Sequence, residues 1–135
     1  MNGFGLYPVG RVHSAYREMV PPEQLLSSCS TIEIDEEWSD AAEDIRVGDR
    51  LLVLFRFHLS SSIPQKVHPR GDPDRPLTGV FSTCSPRRPN FIGVGDCRVT
   101  SRDGLRIQVD GLDALDGSPV LDMKPFRIRE DEALS

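Results

Sequence analysis

From Leu105 to Val109, apolar and polar residues alternate without a break, as in a strand with one face turned to a core. Asp103-Gly104 in front of it predicts a hairpin turn. Arg50-Leu51-Leu52-Val53-Leu54-Phe55-Arg56-Phe57 is the most apolar stretch and predicts a central, largely buried strand. Shorter β runs follow from Leu6 to Val12 (apolar at Tyr7, Val9 and Val12), Thr31 to Ile34, Thr78 to Ser82, Ile92 to Thr100 and Val120 to Met123. One segment has a different period: Trp38, Ala41, Ala42 and Ile45 fall at i, i+3, i+4 and i+7, one face of a short helix that Gly48-Asp49 ends. Residues 19–30 carry Pro21-Pro22 and a Ser/Cys cluster, and residues 60–77 carry three consecutive serines, four prolines and Gly71. Both read as loops, and a loop as long as the second is usually functional or disordered. Closely spaced hairpins with little helix imply an all-β fold: a small antiparallel single-sheeted β-barrel with one short helix and long loops. One domain over residues 1–135 is the simplest division at this length.

Composition narrows the class. The chain has 38% hydrophobic and 27% charged residues, ordinary values for a globular protein, and no apolar run approaches the ~20 residues needed to cross a bilayer. Met1-Asn2-Gly3-Phe4-Gly5 lacks the basic and hydrophobic regions of a secretory signal. Cys29, Cys84 and Cys97 are odd in number and without C-x-x-C spacing, which argues against a disulfide framework or zinc site and suits a cytoplasmic location. The net charge of −5 does not suggest nucleic-acid binding by bulk electrostatics. Yet six cations (Arg56, Lys66, Arg70, Arg75, Arg87, Arg88) face only two anions (Asp72, Asp74) between Arg56 and Arg88, a local +4. Such a strip fits two roles, guiding a phosphate backbone or balancing acidic neighbours in the fold.

The stretch Gly79-Val80-Phe81-Ser82-Thr83-Cys84-Ser85-Pro86-Arg87-Arg88-Pro89-Asn90-Phe91-Ile92-Gly93 is the most informative. Pro86 and Pro89 restrict a loop dense in hydroxyls, guanidinium groups and one amide, and a stiff polar loop loses less entropy on binding. It resembles the signature of the TsaA-like family, the S-adenosylmethionine-dependent tRNA methyltransferases called TrmO, which reads roughly G-V-F-A-T-R-S-x-x-R-P-N-P-I-G. Residues 111–126, beginning Gly111-Leu112-Asp113-Ala114-Leu115-Asp116-Gly117-Ser118-Pro119, are similar to that family's G-L-D-x-x-D-G-T-P-V-x-D-I-K-P-Y. Val9-Gly10-Arg11-Val12-His13-Ser14-Ala15-Tyr16 is similar to its I-G-x-I-x-S-x-Y start, and Phe55-Arg56-Phe57-His58 to its central strand ending in histidine. The four matches keep the family's order.

The resemblance implies a barrel, S-adenosyl-L-methionine as cofactor, tRNA as substrate and a homodimer with sites near the subunit interface. Carried over, the cofactor contacts are His58, Thr83, Cys84, Ser85, Val94, Asp113, Ala114, Leu115 and Asp116, with Arg88 and Asn90 bracing the loop or meeting a phosphate or base. On their own, His58 reads equally well as a satisfied histidine at a strand end, and Asp113 and Asp116 as turn formers beside Gly117. Asp122 and Lys124, on an alternating strand, predict an internal ion pair. Gly93-Val94-Gly95 leads into Asp96 and a strand rather than a helix, so it is no dinucleotide fingerprint and the cradle must come from barrel loops. Methyl transfer from a sulfonium is an in-line displacement in which the protein chiefly aligns the acceptor, so no catalytic residue is named.

Three departures stand out: Cys84 where the family has arginine, Phe91 where it has proline, and Phe126 where it has tyrosine. The larger bacterial relatives carry a further C-terminal region, so tRNA docking is expected to rely on this domain, a second copy or another protein. The resemblance points to the N6 of threonylcarbamoyl-adenosine as acceptor. The rival readings are a non-catalytic module that senses the cofactor and a methyltransferase with a small-molecule acceptor. A covalent mechanism through Cys84 lacks a partner histidine fixed by sequence, and nothing in the spacing of His13, His58 and His68 assembles a metal site.

Overall fold

A computed structural model describes residues 3–18, 20–21, 23–24 and 29–126. Its strands are β1 (Gly10–His13), β2 (Cys29–Ile34), β3 (Arg50–Arg56), β4 (Lys66–Val67), β5 (Thr78–Gly79), β6 (Ile92–Asp103), β7 (Arg106–Asp110) and β8 (Pro119–Pro125). Six of them close into an antiparallel barrel in the order β1-β2-β7-β6-β3-β8, with β8 returning to β1, while β4 and β5 form a separate two-stranded ribbon. The expected fold class, a small antiparallel barrel, is therefore the one observed.

Period-two patterning closes the barrel. Along β6, Gly93, Gly95, Cys97 and Val99 face inward, and Val94, Asp96, Arg98 and Thr100 face out. Leu51, Val53 and Phe55 of β3, Ile32 and Ile34 of β2, Ile107 and Val109 of β7, Val12 and Val120 complete the interior, each at most 5% exposed. Burying each such side chain contributes on the order of 1.5–3 kcal/mol. The glycines of β6 have a steric reason. A Cβ on Gly93 would lie 2.6 Å from the Phe55 ring, and one on Gly95 would overlap the Leu112 side chain. Outside, Arg50 forks onto Asp96 at 2.8 and 2.5 Å and lies 3.7 Å over the Phe126 ring, and Lys124 pairs with Asp122 at 3.4 Å on the exposed face.

Some elements differ from the sequence pattern. The expected helix around Trp38–Ile45 is two successive 3-10 turns, Glu36–Trp38 and Asp40–Ala42. The Ala42 carbonyl accepts the Ile45 N–H at 3.2 Å in a 3-10 bond, the Ala42 and Ile45 carbonyls also accept from Arg102 Nη1 at 2.6 and 2.8 Å, and Ala41 is exposed. The first strand begins at Gly10, not Leu6, because Leu6 and Tyr7 stand at the surface, with Tyr7 stacked on Trp38 at 6.2 Å. Cys29 and Ser30 belong to β2 rather than to the loop before it. The 60–77 loop holds β4 and a turn at Pro69–Gly71, and the strand expected to Ser82 gives way after Gly79 to a 3-10 turn, Val80–Ser82. The acidic end at Glu130-Asp131-Glu132 lies outside the described residues.

Candidate functional site

Because neighbouring strands are antiparallel around the ring, β1, β3 and β7 end on the same rim at which β2, β6 and β8 begin. The connections 14–28, 57–91 and 111–118 therefore all leave from that rim, whereas 35–49 joins β2 to β3 at the opposite one. This topology gathers the sequence motifs at one end of the barrel.

The 111–118 connection is anchored from inside. Leu112 and Ala114 are 0% and 1% exposed and belong to the core, and Leu115 is 9% exposed. Alternation along this segment leaves Asp113 at the surface and Asp116 half-buried. Asp116 ties two connections together: its Oδ1 accepts the Ser14 N–H at 2.9 Å, its Oδ2 lies 3.6 Å from Arg17 Nε, and its own N–H donates to the Tyr16 carbonyl at 2.7 Å. Gly117, at φ +85, donates its N–H to the Val12 carbonyl. The third connection arrives through His58, half-buried, whose Nδ1 lies 3.5 Å from Ser118 Oγ. Ser118 Oγ donates to the Leu115 carbonyl at 2.7 Å, so toward His58 it presents an acceptor and favours the Nδ1–H tautomer, leaving Nε2 as an acceptor.

Although Asp113 stands at the surface, the neighbours crowded around its carboxyl strip enough water from it to raise its pKa, its own backbone N–H pulling the other way. The folded state then holds the proton more tightly than the unfolded chain. This contribution favours folding below the ordinary carboxylate range and is lost as the pH rises through the raised pKa. Asp113→Asn should accordingly raise the melting temperature at about pH 7 and leave it unchanged at about pH 3. Thermal melts of both proteins across that span check this; a constant offset at every pH would refute it.

The proline-rich loop is held by its own side chains. Arg88 Nη1 donates to the carbonyls of Thr83 (2.9 Å) and Ser85 (3.1 Å), and Nη2 to that of Val80 (3.2 Å). Thr83 Oγ1 donates to the Val80 carbonyl and accepts the Ser85 N–H, while Ser85 Oγ accepts the Arg87 N–H. Arg87 reaches across to Ser62 Oγ at 2.9 Å. Of the two roles open to Arg88, bracing is the one this geometry displays. Cys84 and Asn90 are exposed, and Val94 projects from the outer face of β6 opposite Leu54, 59% exposed.

The structure thus joins His58 to Gly117-Ser118 and Asp116 to Ser14 and Arg17. Among the described residues, no hydrogen bond or ion pair links Thr83, Cys84 or Ser85 to the 113–116 segment. Ala114 and Leu115 offer a ligand only their backbone, since their side chains plug the barrel end. Ser14, Arg17 and Ser118 were not assigned roles from sequence, although Ser14 lies in the S-x-Y pattern and Ser118 in the G-S-P pattern of the matched motifs. A separate groove of about 400 Å³ on the barrel wall, lined by Arg50, Asp96, Cys97, Arg98, Asp110 and Gly111, contains none of the expected site residues. The histidines stand apart: His13 on Glu33 Oε1, His68 on the Arg75 carbonyl and His58 on Ser118.

A closed antiparallel barrel with a braced loop and a buried connecting segment at one rim defines a small β-barrel class built without parallel strands. Residues 11–132 match the model of the tRNA-methyltransferase O N-terminal domain, and the chain belongs to that family. It is 45% identical over 105 residues to a Pyrococcus horikoshii protein named "Probable S-adenosyl-L-methionine-binding protein PH1056", covering 74% of each chain. A Methanothermobacter thermautotrophicus protein named "Probable S-adenosyl-L-methionine-binding protein" is 42% identical over 88% of this chain and 87% of its own. The crystal structure of TrmO from Pseudomonas aeruginosa superposes with a TM-score of 0.73 at 27% identity, over 98% of this chain. The match spans only 60% of that longer protein.

Proposed function

We propose that this chain binds S-adenosyl-L-methionine at the loop-bearing rim and transfers its methyl group to tRNA, the acceptor being the N6 of threonylcarbamoyl-adenosine. The observation that carries this reading is the convergence of all four family motifs on one end of the barrel. The residues there suit such a cofactor. Asp113 and the Nε2 of His58 are acceptors for a cationic donor, Asn90 offers an exposed amide, and the Thr83-Cys84-Ser85 backbone is held in one conformation. When bound, the sulfonium supplies an activated methyl group; the chain's part is to orient it and exclude water. In this reading Val94 and the backbone of Ala114, Leu115 and Asp116 complete the contacts.

A homodimer belongs to the same reading. Leu59, Ile63, Leu77 and Phe81 on the 57–91 connection, and Val94 on β6, are 55–79% exposed, an apolar display that a second copy would cover. The cations of that connection would meet the RNA backbone, in a cytoplasmic enzyme. Among the described residues no helix is long and apolar enough to cross a membrane.

Calorimetric titration with S-adenosyl-L-methionine, followed by transfer of labelled methyl to bulk tRNA, tests the reading. Binding without transfer to any RNA would favour the sensing module, and transfer to small molecules alone the third reading. Alkylation gives a site-resolved check. Cys97 is buried with its thiol pushed up to about 12, and the exposed Cys29 thiol donates to Asp110 Oδ1 at the start of β2. Saturating S-adenosylhomocysteine should slow labelling of exposed Cys84 while Cys97 stays unreactive, as read by mass spectrometry. Undiminished labelling of Cys84 would remove the loop from the site.

A further inference from the structure

The loop enters β6 through a pair of residues with unusual backbones. Asn90 has φ +66 and Phe91 φ +54, consecutive left-handed positions without a glycine. Asparagine tolerates this region, but a bulky side chain there is an outlier that the surroundings must enforce. Enforcement is visible: the Phe91 N–H donates to the Arg88 carbonyl at 3.2 Å and its carbonyl accepts the Phe57 N–H at 2.7 Å. The strain does not serve burial, since Phe91 stays half-buried and Asn90 exposed. It turns the Phe91 ring beside Arg56, whose guanidinium lies 5.2 Å from the ring centroid. Among the described residues, no carboxylate pairs with Arg56. No hydrogen bond engages the Asn90 amide among them either. A proline, the residue of the resembled motif at this position, cannot adopt φ +54, so the arrangement belongs to this chain.

We infer that Asn90, Phe91 and Arg56 form a nucleobase site: the ring and guanidinium supply a stacking surface, and the amide reads the base edge. An aromatic face accepts any base, a guanidinium adds cation–π attraction, and an asparagine amide matches the donor and acceptor pair of adenine. The inference rests on the methyltransferase reading, in which the base comes either from the cofactor's adenine or from the RNA.

Glycine at either position keeps the left-handed backbone while removing the chemistry. Phe91→Gly and Asn90→Gly should therefore fold, with Phe91→Trp restoring stacking. Each is titrated calorimetrically with S-adenosylhomocysteine and, separately, with unfractionated tRNA. Phe91→Gly should lose about tenfold in affinity on one arm, the scale that base stacking supplies, with Phe91→Trp near wild type. Loss on the first arm assigns the cofactor's adenine; loss on the second assigns an RNA base. Wild-type affinity for both probes in Phe91→Gly sinks this inference alone. A wild-type chain that binds neither probe removes the methyltransferase reading and the inference together.

Discussion

Arg88→Ala should cost this chain between tenfold and a hundredfold in affinity for S-adenosyl-L-methionine while the barrel still unfolds cooperatively near its original melting temperature. One guanidinium holds three carbonyls, those of Val80, Thr83 and Ser85, across the tightest part of the loop. Hydrogen bonds from a charged donor contribute about 1.5–3 kcal/mol each when buried, and the half-exposed setting of Arg88 puts these at the low end or below. Fixing the backbone of one residue costs roughly 1–2 kcal/mol. A loop released from its brace must repay that cost for several residues on binding, enough to reach about 1.4–2.8 kcal/mol, or ten- to hundredfold. Global stability changes little because the strand core contains nothing from 81–91. Arg88→Lys should fail to rescue, since one ammonium cannot fork onto three acceptors. Calorimetry paired with thermal melts decides the matter: full affinity in Arg88→Ala would leave the brace without a functional role.

The contrast between strands and connections explains what could be read in advance. Alternation exposed β7 and the inner face of β3 because a barrel wall imposes a strict inside and outside on every residue pair. The same rule failed where no partner strand follows. Tyr7 has an apolar side chain in register with Val9, yet it lies beyond the last barrel pairing and stacks on Trp38 instead. The helical spacing from Trp38 to Ile45 did report burial of Trp38, Ala42 and Ile45, but the segment folds as 3-10 turns whose carbonyls are also tied to Arg102. A guanidinium sixty residues away leaves no trace in local periodicity.

At the rim, motif spacing identified the segments but not the direction of each side chain. Leu112, Ala114 and Leu115 lie in the same motif as Asp113 and Asp116, and only their burial in the folded chain, with Leu112 against Gly95, shows which of them face inward. By resemblance Thr83 and Ser85 are cofactor contacts, and Arg88 either braces the loop or meets a phosphate or base. Their hydrogen bonds turn inward on the loop's own carbonyls and amides, a partnership that depends on the turn at Val80–Ser82. Phe91 was legible only as a residue out of pattern; its left-handed backbone emerges from the bonds to Arg88 and Phe57.

Leu112→Ala joins the two levels. This side chain is 0% exposed and packs against the bare backbone of Gly95, so removing it opens a cavity under the one segment that carries both rim carboxylates. Substitutions of this kind cost about 2–5 kcal/mol, depending on how far the surroundings collapse. Collapse is restricted here, because one wall is strand backbone whose register with β3 is fixed by seven consecutive pairs. The upper half of that range is therefore expected, a large fraction of the roughly 5–15 kcal/mol that holds a domain together. Leu112→Met, nearly volume-conserving, should stay under about 1.5 kcal/mol. Unlike Arg88→Ala, the alanine variant should lose stability and cofactor affinity together, since Asp113 and Asp116 ride on the loosened segment. Urea unfolding and calorimetry on both variants separate the cases. A Leu112→Ala protein within about 1 kcal/mol of wild type, below the usual range for a filled core, would mean that the stopper segment packs more loosely than its burial indicates.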